Sequence, residues 1–420
     1  MGSRTIIRSG IVFIPGFNGT RLQHTKYNDV AKNMLRRNVK YNMSVYTGML
    51  NNISMKEWFD DFKVMYNEDK QTYESNGNVF IGQIGMYDLD PIRNLSTELE
   101  TLDLIMKHLN FVPNLISDYT HNKYAFMYYE ALIQSAKENG YYEGRSLMAM
   151  PYDFRLILEH NVLNEFMERM KYGCEEMMAE NCEKHTLVCH SLGGILVYYF
   201  LVKYMPKEWV KQHIANVVFV NVPWGGVSIL LQYILNGYHY LPQYKKQYRD
   251  MITKFSGFTL CLPNNYGYDS DNMILLTQSK SYNSMCIDDL YSDMNDTDSL
   301  LAYRHHQPII TNILESIQIP IPETVNVHVL YNTSMDTINS FKYHQLDKDT
   351  LSNVFFTKGD GLVSKQSLEA IKVLHNQCEN YTFYDFENIP KVLNIGHTNF
   401  LEYDPLLDVI TGVIHSSSRQ

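Results

Sequence analysis

Thr186–Val197 reads TLVCHSLGGILV. Leu187–Cys189 is a short apolar run of the kind that forms a buried strand. Ser191 follows, then Gly193 and Gly194. Ile195, Leu196, Tyr198, Tyr199, Leu201 and Val202 next recur at helical spacing. Strand, sharp turn bearing a serine, then helix is the arrangement of a nucleophile elbow, usually written G-x-S-x-G. Residues two places before and after the serine must be small because strand and helix crowd there. The hydroxyl stands exposed at the strand's carboxyl end, and the helix N-terminus faces developing negative charge. Cys189 takes the place of the first glycine and is small enough to be tolerated. Taken alone, the same letters also fit an ordinary strand-to-helix turn that happens to carry a serine.

Upstream, RSGIVFI over residues 8–14 reads as a first strand. Its apolar end suits a parallel strand covered on both faces. Pro15-Gly16-Phe17-Asn18-Gly19-Thr20 then makes a loop whose backbone N–H groups can point into a site, or simply a turn. Residues 40–80 mix aromatics and methionines with polar groups. Trp58, Phe59 and Phe62 share a helical face, which either covers the core or meets lipid. Val79–Gly82 and Leu147–Met150 read as further strands. Leu95–Leu109, Tyr124–Ala136 and Asn164–Met178 read as helices, the second ended by Asn139-Gly140. Alternating strands and helices indicate a parallel sheet with helices on both faces.

Downstream, Val217–Val220 is a strand leading into NVPWGG at 221–226. From Val227 to about Pro322 the alternation is lost, and this stretch reads as a cap inserted between core strands. Core signals return at Val325–Tyr331. Val354–Phe356 approaches Gly359-Asp360-Gly361, and Tyr381–Tyr384 is another short strand. The turn Asn394–Phe400 carries His397, and a last helix starts near Pro405. The expected division is a core of residues 1–39 and 77–226, a small subdomain at 40–76, the cap at 227–322, and the last part of the core at 323–420.

At 420 residues the chain suits a large core plus insertions. The formal net charge of −10, without a long basic run, argues against nucleic acid as a partner. None of the six cysteines falls in a C-x-x-C pair, and no D-x-D-x-D-G loop occurs, so spacing implies neither zinc nor calcium and no cofactor. The apolar run Ile11–Phe17 is too short to span a membrane. No typical signal peptide is visible. Seven N-x-S/T sequons, at Asn18, Asn42, Asn52, Asn94, Asn295, Asn332 and Asn380, leave secretion open.

In α/β hydrolases the chain order is nucleophile, acid, histidine. After Ser191, Asp360 and His397 fit best, each in a loop beside glycine after a strand. His397 would deprotonate Ser191, and Asp360 would orient the imidazole and stabilise its charged form. The backbone N–H groups of Leu192 and Phe17 would receive the oxyanion. Asp336, Asp347, Asp349 and Asp385 lack as good a setting, and His375 sits in a helix where it is hard to aim.

IVFIPGFNGTRL at 11–22, WFDD at 58–61, VMYN at 64–67, MPYDFRL at 150–156, CHSLGG, VPWGG, GDGLVS at 359–364 and GHTNFL at 396–401 occur in that order. Together they resemble the lecithin:cholesterol acyltransferase-like lipases over about residues 8–411. The resemblance implies an α/β-hydrolase core with a membrane-binding subdomain and a lid. It also implies a phospholipid acyl ester as substrate, the triad Ser191, Asp360 and His397, and Phe17 and Leu192 as oxyanion residues. Trp58 and Phe59 would then meet the membrane, and Trp224 would line the acyl approach beneath the lid. Tyr152, Asp153 and Arg155 would support the core. Family disulfides are missing: Glu57 stands where animal members carry cysteine, and the 325–331 strand has none to pair with Cys378. This agrees with a reducing compartment or with a distant microbial or viral branch of the family.

The leading expectation is a serine phospholipase A that binds a phospholipid membrane surface and passes the acyl group to water. The alternatives are transfer to an alcohol or sterol, an inactive lipid-binding protein on the same scaffold, and a peptidase or small-ester hydrolase.

Overall fold

The computed structural model describes residues 9–17, 19–20, 22–24, 55–77, 79–81, 129–180, 183–237, 244–346 and 351–417. The helix expected over Leu95–Leu109, and the beginning of the one expected from Tyr124, lie outside these residues. So do Cys182, residues 40–54 and the side chain of Trp58.

Six strands form one parallel sheet: β1 (Ser9–Ile14), β2 (Leu147–Ala149), β3 (Glu183–His190), β4 (Ile214–Val220), β5 (Asn326–Asn332) and β6 (Tyr381–Phe386). Their spatial order is β2-β1-β3-β4-β5-β6. The chain first steps one way from β1 to β2, then lands on the other side of β1 and continues outward. The strand order therefore reverses between β1 and β3, where open α/β sheets place their ligand crevice. Register aligns the strand ends there: Ile14 lies beside Cys189, His190 beside Val220, and Val220 beside Leu330.

The apolar runs are explained by burial on both faces. Val12, Ile14, Leu187, Cys189, Val217 and Phe219 enter one core with the helices His160–Ala179 and Leu192–Tyr199. Ile11, Phe13, Val188, Val218 and Val220 point the other way, toward Glu130–Glu138 and Asp404–Ser417. Successive residues of a strand face opposite sides, so each run fills both layers. The helix expected to end at Asn139-Gly140 does so, with Asn139 as its cap.

Two features depart from expectation. Leu351–Gly359, the strand leading to Asp360, is outside the parallel sheet. It pairs antiparallel with Met335–Tyr343, whose other edge meets the short strand Leu275–Leu276. The 323–420 stretch thus contains an antiparallel excursion as well as core. The other departure is Phe59, expected at a lipid-facing surface. It is only 6% exposed and packs 5.9 Å from Tyr244. Phe62 is buried beside it, against Phe255. Phe59 and Phe62, three positions apart, share one face of the helix Met55–Phe62, and burying that face seats the helix on the core.

Arg155 holds that helix in place. Its guanidinium is fully buried and paired with both Asp153 oxygens, and it donates to the carbonyls of Phe62 and Val79 at 3.0 Å each. The Tyr152 hydroxyl donates to Pro15 O at 2.9 Å. These three residues support the core, and none meets Ser191. Among the described residues, no helix is long and apolar enough to cross a membrane.

Candidate active site

Ser191 sits between the end of β3 and the helix Leu192–Tyr199 with φ 51° and ψ −129°. A positive φ is strained for a residue with a side chain, and its surroundings enforce it. Ser191 N–H donates to Val220 O at 3.0 Å, and Ser191 O accepts from Gly194 N–H at 2.9 Å. The loop after β1 presses on the same turn. A Cβ on Gly193 would fall 2.3 Å from Pro15 O, and one on Gly16 would fall 2.7 Å from the Ser191 Cβ. This is why glycine is required at 193, two residues after the serine, and at 16 in the loop that presses on it. Cys189 is wholly buried in the β3 core face. Burial pushes its thiol pKa well above the ordinary value, which disfavours the thiolate.

His397 and Asp360 come to this turn from elsewhere in the chain. His397 Nε2 lies 2.9 Å from Ser191 Oγ, and its Nδ1 lies 2.6 Å from Asp360 Oδ2. Asp360 is fully buried. Its other oxygen, Oδ1, accepts from Leu362 N–H at 2.9 Å and Val363 N–H at 2.7 Å. With both oxygens engaged, the carboxylate can turn neither away nor over. The tautomer consistent with these contacts has the proton on Nδ1, pointing at Asp360, and the Nε2 lone pair toward the serine. Among the described residues, the backbone N–H groups of Phe17 and Leu192 have no hydrogen-bond partner. Leu192 opens its helix, so its N–H is one of those without an intrahelical acceptor. The Phe17 ring packs on Phe154 at 4.9 Å.

Three residues escaped the sequence reading. His190 Nε2 lies 3.1 Å from His397 O, and Asn221 Nδ2 donates to the same oxygen at 3.1 Å. Asn332 Nδ2 donates to Ile395 O at 2.7 Å, and its N–H donates to Asn221 Oδ1 at 3.0 Å. The ends of β3, β4 and β5 thus hold the 395–397 turn by its carbonyls. The available signal was three polar residues at or just after the ends of apolar strands. Burial, with His397 close by, pulls the His190 pKa well below its ordinary value, consistent with a neutral donor.

Trp224 does not join this group. It was expected to line an acyl approach, but it is 0% exposed and packs edge-on against Phe219 at 5.1 Å and Tyr198 at 5.5 Å. It is a core residue here, because the glycines after it let the backbone fold tightly against Gly267 and Leu262. The described residues that gather three metal-capable side chains are Glu159, His305 and His306, none of which belongs to the serine site.

The chain matches the family model for lecithin:cholesterol acyltransferase over residues 41–307. That span includes Ser191 and ends before Asp360 and His397. The chain is 22% identical to the phosphatidylcholine-sterol acyltransferase of Gallus gallus, over 92% of this chain and 86% of that protein. It is 23% identical to the lysosomal phospholipase A and acyltransferase of Rattus norvegicus, over 74% of this chain and 68% of that protein. Against the dog protein of the same name the identity is 26%, over 57% of each chain. Among solved structures, a chain of the Tle4–Tli4 complex superposes with a TM-score of 0.52 at 11% identity, covering 98% of this chain and 99% of that one. At that identity the likeness concerns the fold alone. With well over half of its length matched by the family model, the chain belongs to the lecithin:cholesterol acyltransferase family, on a mixed α/β fold with an α/β-hydrolase-like parallel core.

Proposed function

We propose that this chain hydrolyses an acyl ester of a glycerophospholipid through an acyl-enzyme on Ser191. Membership of a phospholipase and acyltransferase family supports lipid acyl chemistry in general. The observation that carries the reading to particular atoms is the unbroken pair of contacts from Asp360 through His397 to Ser191.

In this mechanism Ser191 Oγ attacks the ester carbonyl carbon as His397 Nε2 takes its proton. Asp360 keeps the Nδ1 proton in place and offsets the imidazolium charge. The N–H groups of Phe17 and Leu192 donate to the tetrahedral oxyanion. His397 returns the proton to the leaving lysophospholipid oxygen, and the acyl group stays on Ser191. Water then attacks the acyl-enzyme with His397 as base, releasing a fatty acid and restoring the serine. We assign contact with the lipid surface to the 40–76 subdomain, Trp58 within it. Phe59 attaches that segment to the core, and residues 227–322 form the cap.

A second reading ends on another acceptor. An alcohol can take the place of water in the last step with the same three residues. Similarity to a sterol acyltransferase along most of the chain favours keeping it. Purified protein with phospholipid vesicles, with and without a long-chain alcohol, separates the two by mass spectrometry of the products. Free fatty acid predominating in both arms supports the phospholipase. Acylated alcohol outcompeting fatty acid supports the transferase, and neither product forming overturns both.

A further inference from the structure

Glu159 is 2% exposed and immediately precedes the helix His160–Ala179. Its carboxylate faces two consecutive imidazoles of the helix Thr297–Ser316. Oε1 lies 3.1 Å from His306 Nε2 and 3.2 Å from His305 Nε2, and Oε2 lies 3.3 Å from His305 Nε2. The Tyr73 ring closes over both imidazoles at 5.4 and 5.5 Å, and Tyr66 packs on His305 at 5.7 Å. The His306 side chain is 1% exposed, whereas that of His305 is 25% exposed.

Among the described residues, the partners of this carboxylate are these two rings, with no lysine or arginine. An ordinary imidazole is mostly neutral at pH 7. A carboxylate removed from water needs a cation or a metal beside it. Two imidazole nitrogens and one carboxylate oxygen are ligands that zinc-class ions accept. Around such an ion at tetrahedral geometry, donor atoms stand ~3.4 Å apart, close to the carboxylate–imidazole separations here. All three donor groups fall within 4.8 Å of one another.

We propose that Glu159, His305 and His306 bind one divalent zinc-class cation. Each imidazole supplies the Nε2 lone pair and carries its proton on Nδ1. The ion's fourth position opens to water on the exposed side of His305. Its role is structural. It ties the expected cap, through the helix Thr297–Ser316, to the core at Glu159, beneath Tyr66 and Tyr73 of the antiparallel hairpin formed by Val64–Asn67 and Thr72–Ser75. Nδ1 of His306 finds no partner among the described residues. That nitrogen is a bare lone pair when Nε2–H donates to Glu159 and an N–H when Nε2 binds metal, so it is unpaired in both arrangements.

The test uses the full chain dialysed against chelator, then titrated with zinc chloride alone. Metal retained after desalting is counted by elemental mass spectrometry, and thermal unfolding is followed in parallel. Wild type should retain one equivalent, and zinc should raise its unfolding midpoint. H305A takes away the partner of Glu159 Oε2 found among the described residues and so should lower the metal-free midpoint, which makes metal retention, not the midpoint, its readout. It should weaken binding by more than the ~10- to 100-fold that loss of an outer partner costs. E159Q should behave likewise, while H397A should still retain one equivalent, because the proposed triad is a separate place. No stoichiometric zinc in wild type, or equal retention by H305A, overturns the proposal. Retention lost in H397A but kept in H305A also overturns it, placing the metal at the serine site.

Discussion

Replacing Asp360 by asparagine changes one atom of the acid and should nearly silence the enzyme. The structure dictates which way the new amide must face. Oδ1 receives two backbone donors, Leu362 N–H and Val363 N–H. An amide nitrogen there would set donor against donor, so the amide oxygen must stay and the NH₂ group must point at His397. That group can only donate. His397 Nδ1, 2.6 Å from the same position, must then become an acceptor and move its proton to Nε2. An Nε2–H facing Ser191 Oγ cannot take the serine proton. The same substitution in the well-studied serine-protease triad lowers kcat by about 10⁴-fold through the wrong tautomer. That is about 5 kcal/mol of barrier, and we expect D360N to fall by a comparable factor. The assay is the initial rate of fatty-acid release from phospholipid vesicles, alongside a thermal melt. A melt close to wild type with the rate down by three or more decades supports the reasoning. A folded D360N within tenfold of wild type refutes it, since no base with the required tautomer would then be needed.

R155M breaks the buried pair with Asp153 and drops the hydrogen bonds to Phe62 and Val79. It should cost about 3–5 kcal/mol in denaturant unfolding, and a loss under 1 kcal/mol would show that the pair does not anchor the 55–81 segment. G193A places a methyl group 2.3 Å from Pro15 O, so the loop bearing Phe17 must shift. Turnover should drop about 10²- to 10³-fold, the usual cost of one oxyanion donor, and an unchanged kcat would remove Phe17 from that role. Burial lowers the pKa of His185 and His328 to about 4, and that of His190 well below its ordinary value. A histidine held neutral in the fold takes up more protons when unfolded. Its stabilisation is therefore complete above pH 6.5 and is lost as pH falls below 6.5 toward the folded value, by up to about 1.4 kcal/mol per pH unit for each ring. Unfolding midpoints recorded from pH 7.5 to 4.5 should fall steeply below 6.5, and a midpoint that rises on acidification contradicts the assignment.

How legible the site was depended on whether its signals were local. Ser191 is announced by its own neighbours, because strand, small residues and helix must follow one another within a dozen positions. Asp360 and His397 were legible through chain order and through turns beside glycine. The support under Asp360 was not. Leu351–Gly359 is mostly exposed, and its apolar residues Val354, Phe355 and Phe356 are consecutive rather than alternating, so its pairing with Met335–Tyr343 in a second sheet left no period-two pattern to read. His190, Asn221 and Asn332 act through carbonyls brought near by the fold, and such contacts leave no spacing in a sequence. Phe59 and Trp224 show the reverse difficulty. An aromatic side chain suits a lipid surface or a core equally well, and only packing decided for the core. Glu159 lies 146 and 147 residues before His305 and His306, beyond any motif built on local spacing.

The most direct test is covalent capture of the nucleophile. Wild type and S191A are incubated with a long-chain fluorophosphonate, digested, and the adduct is located by mass spectrometry. Phospholipid turnover is measured on the same samples. A single adduct on Ser191 with turnover abolished in proportion is expected, and neither label nor turnover in a folded S191A. An adduct on another residue, or fatty-acid release by S191A at the wild-type rate, would contradict it.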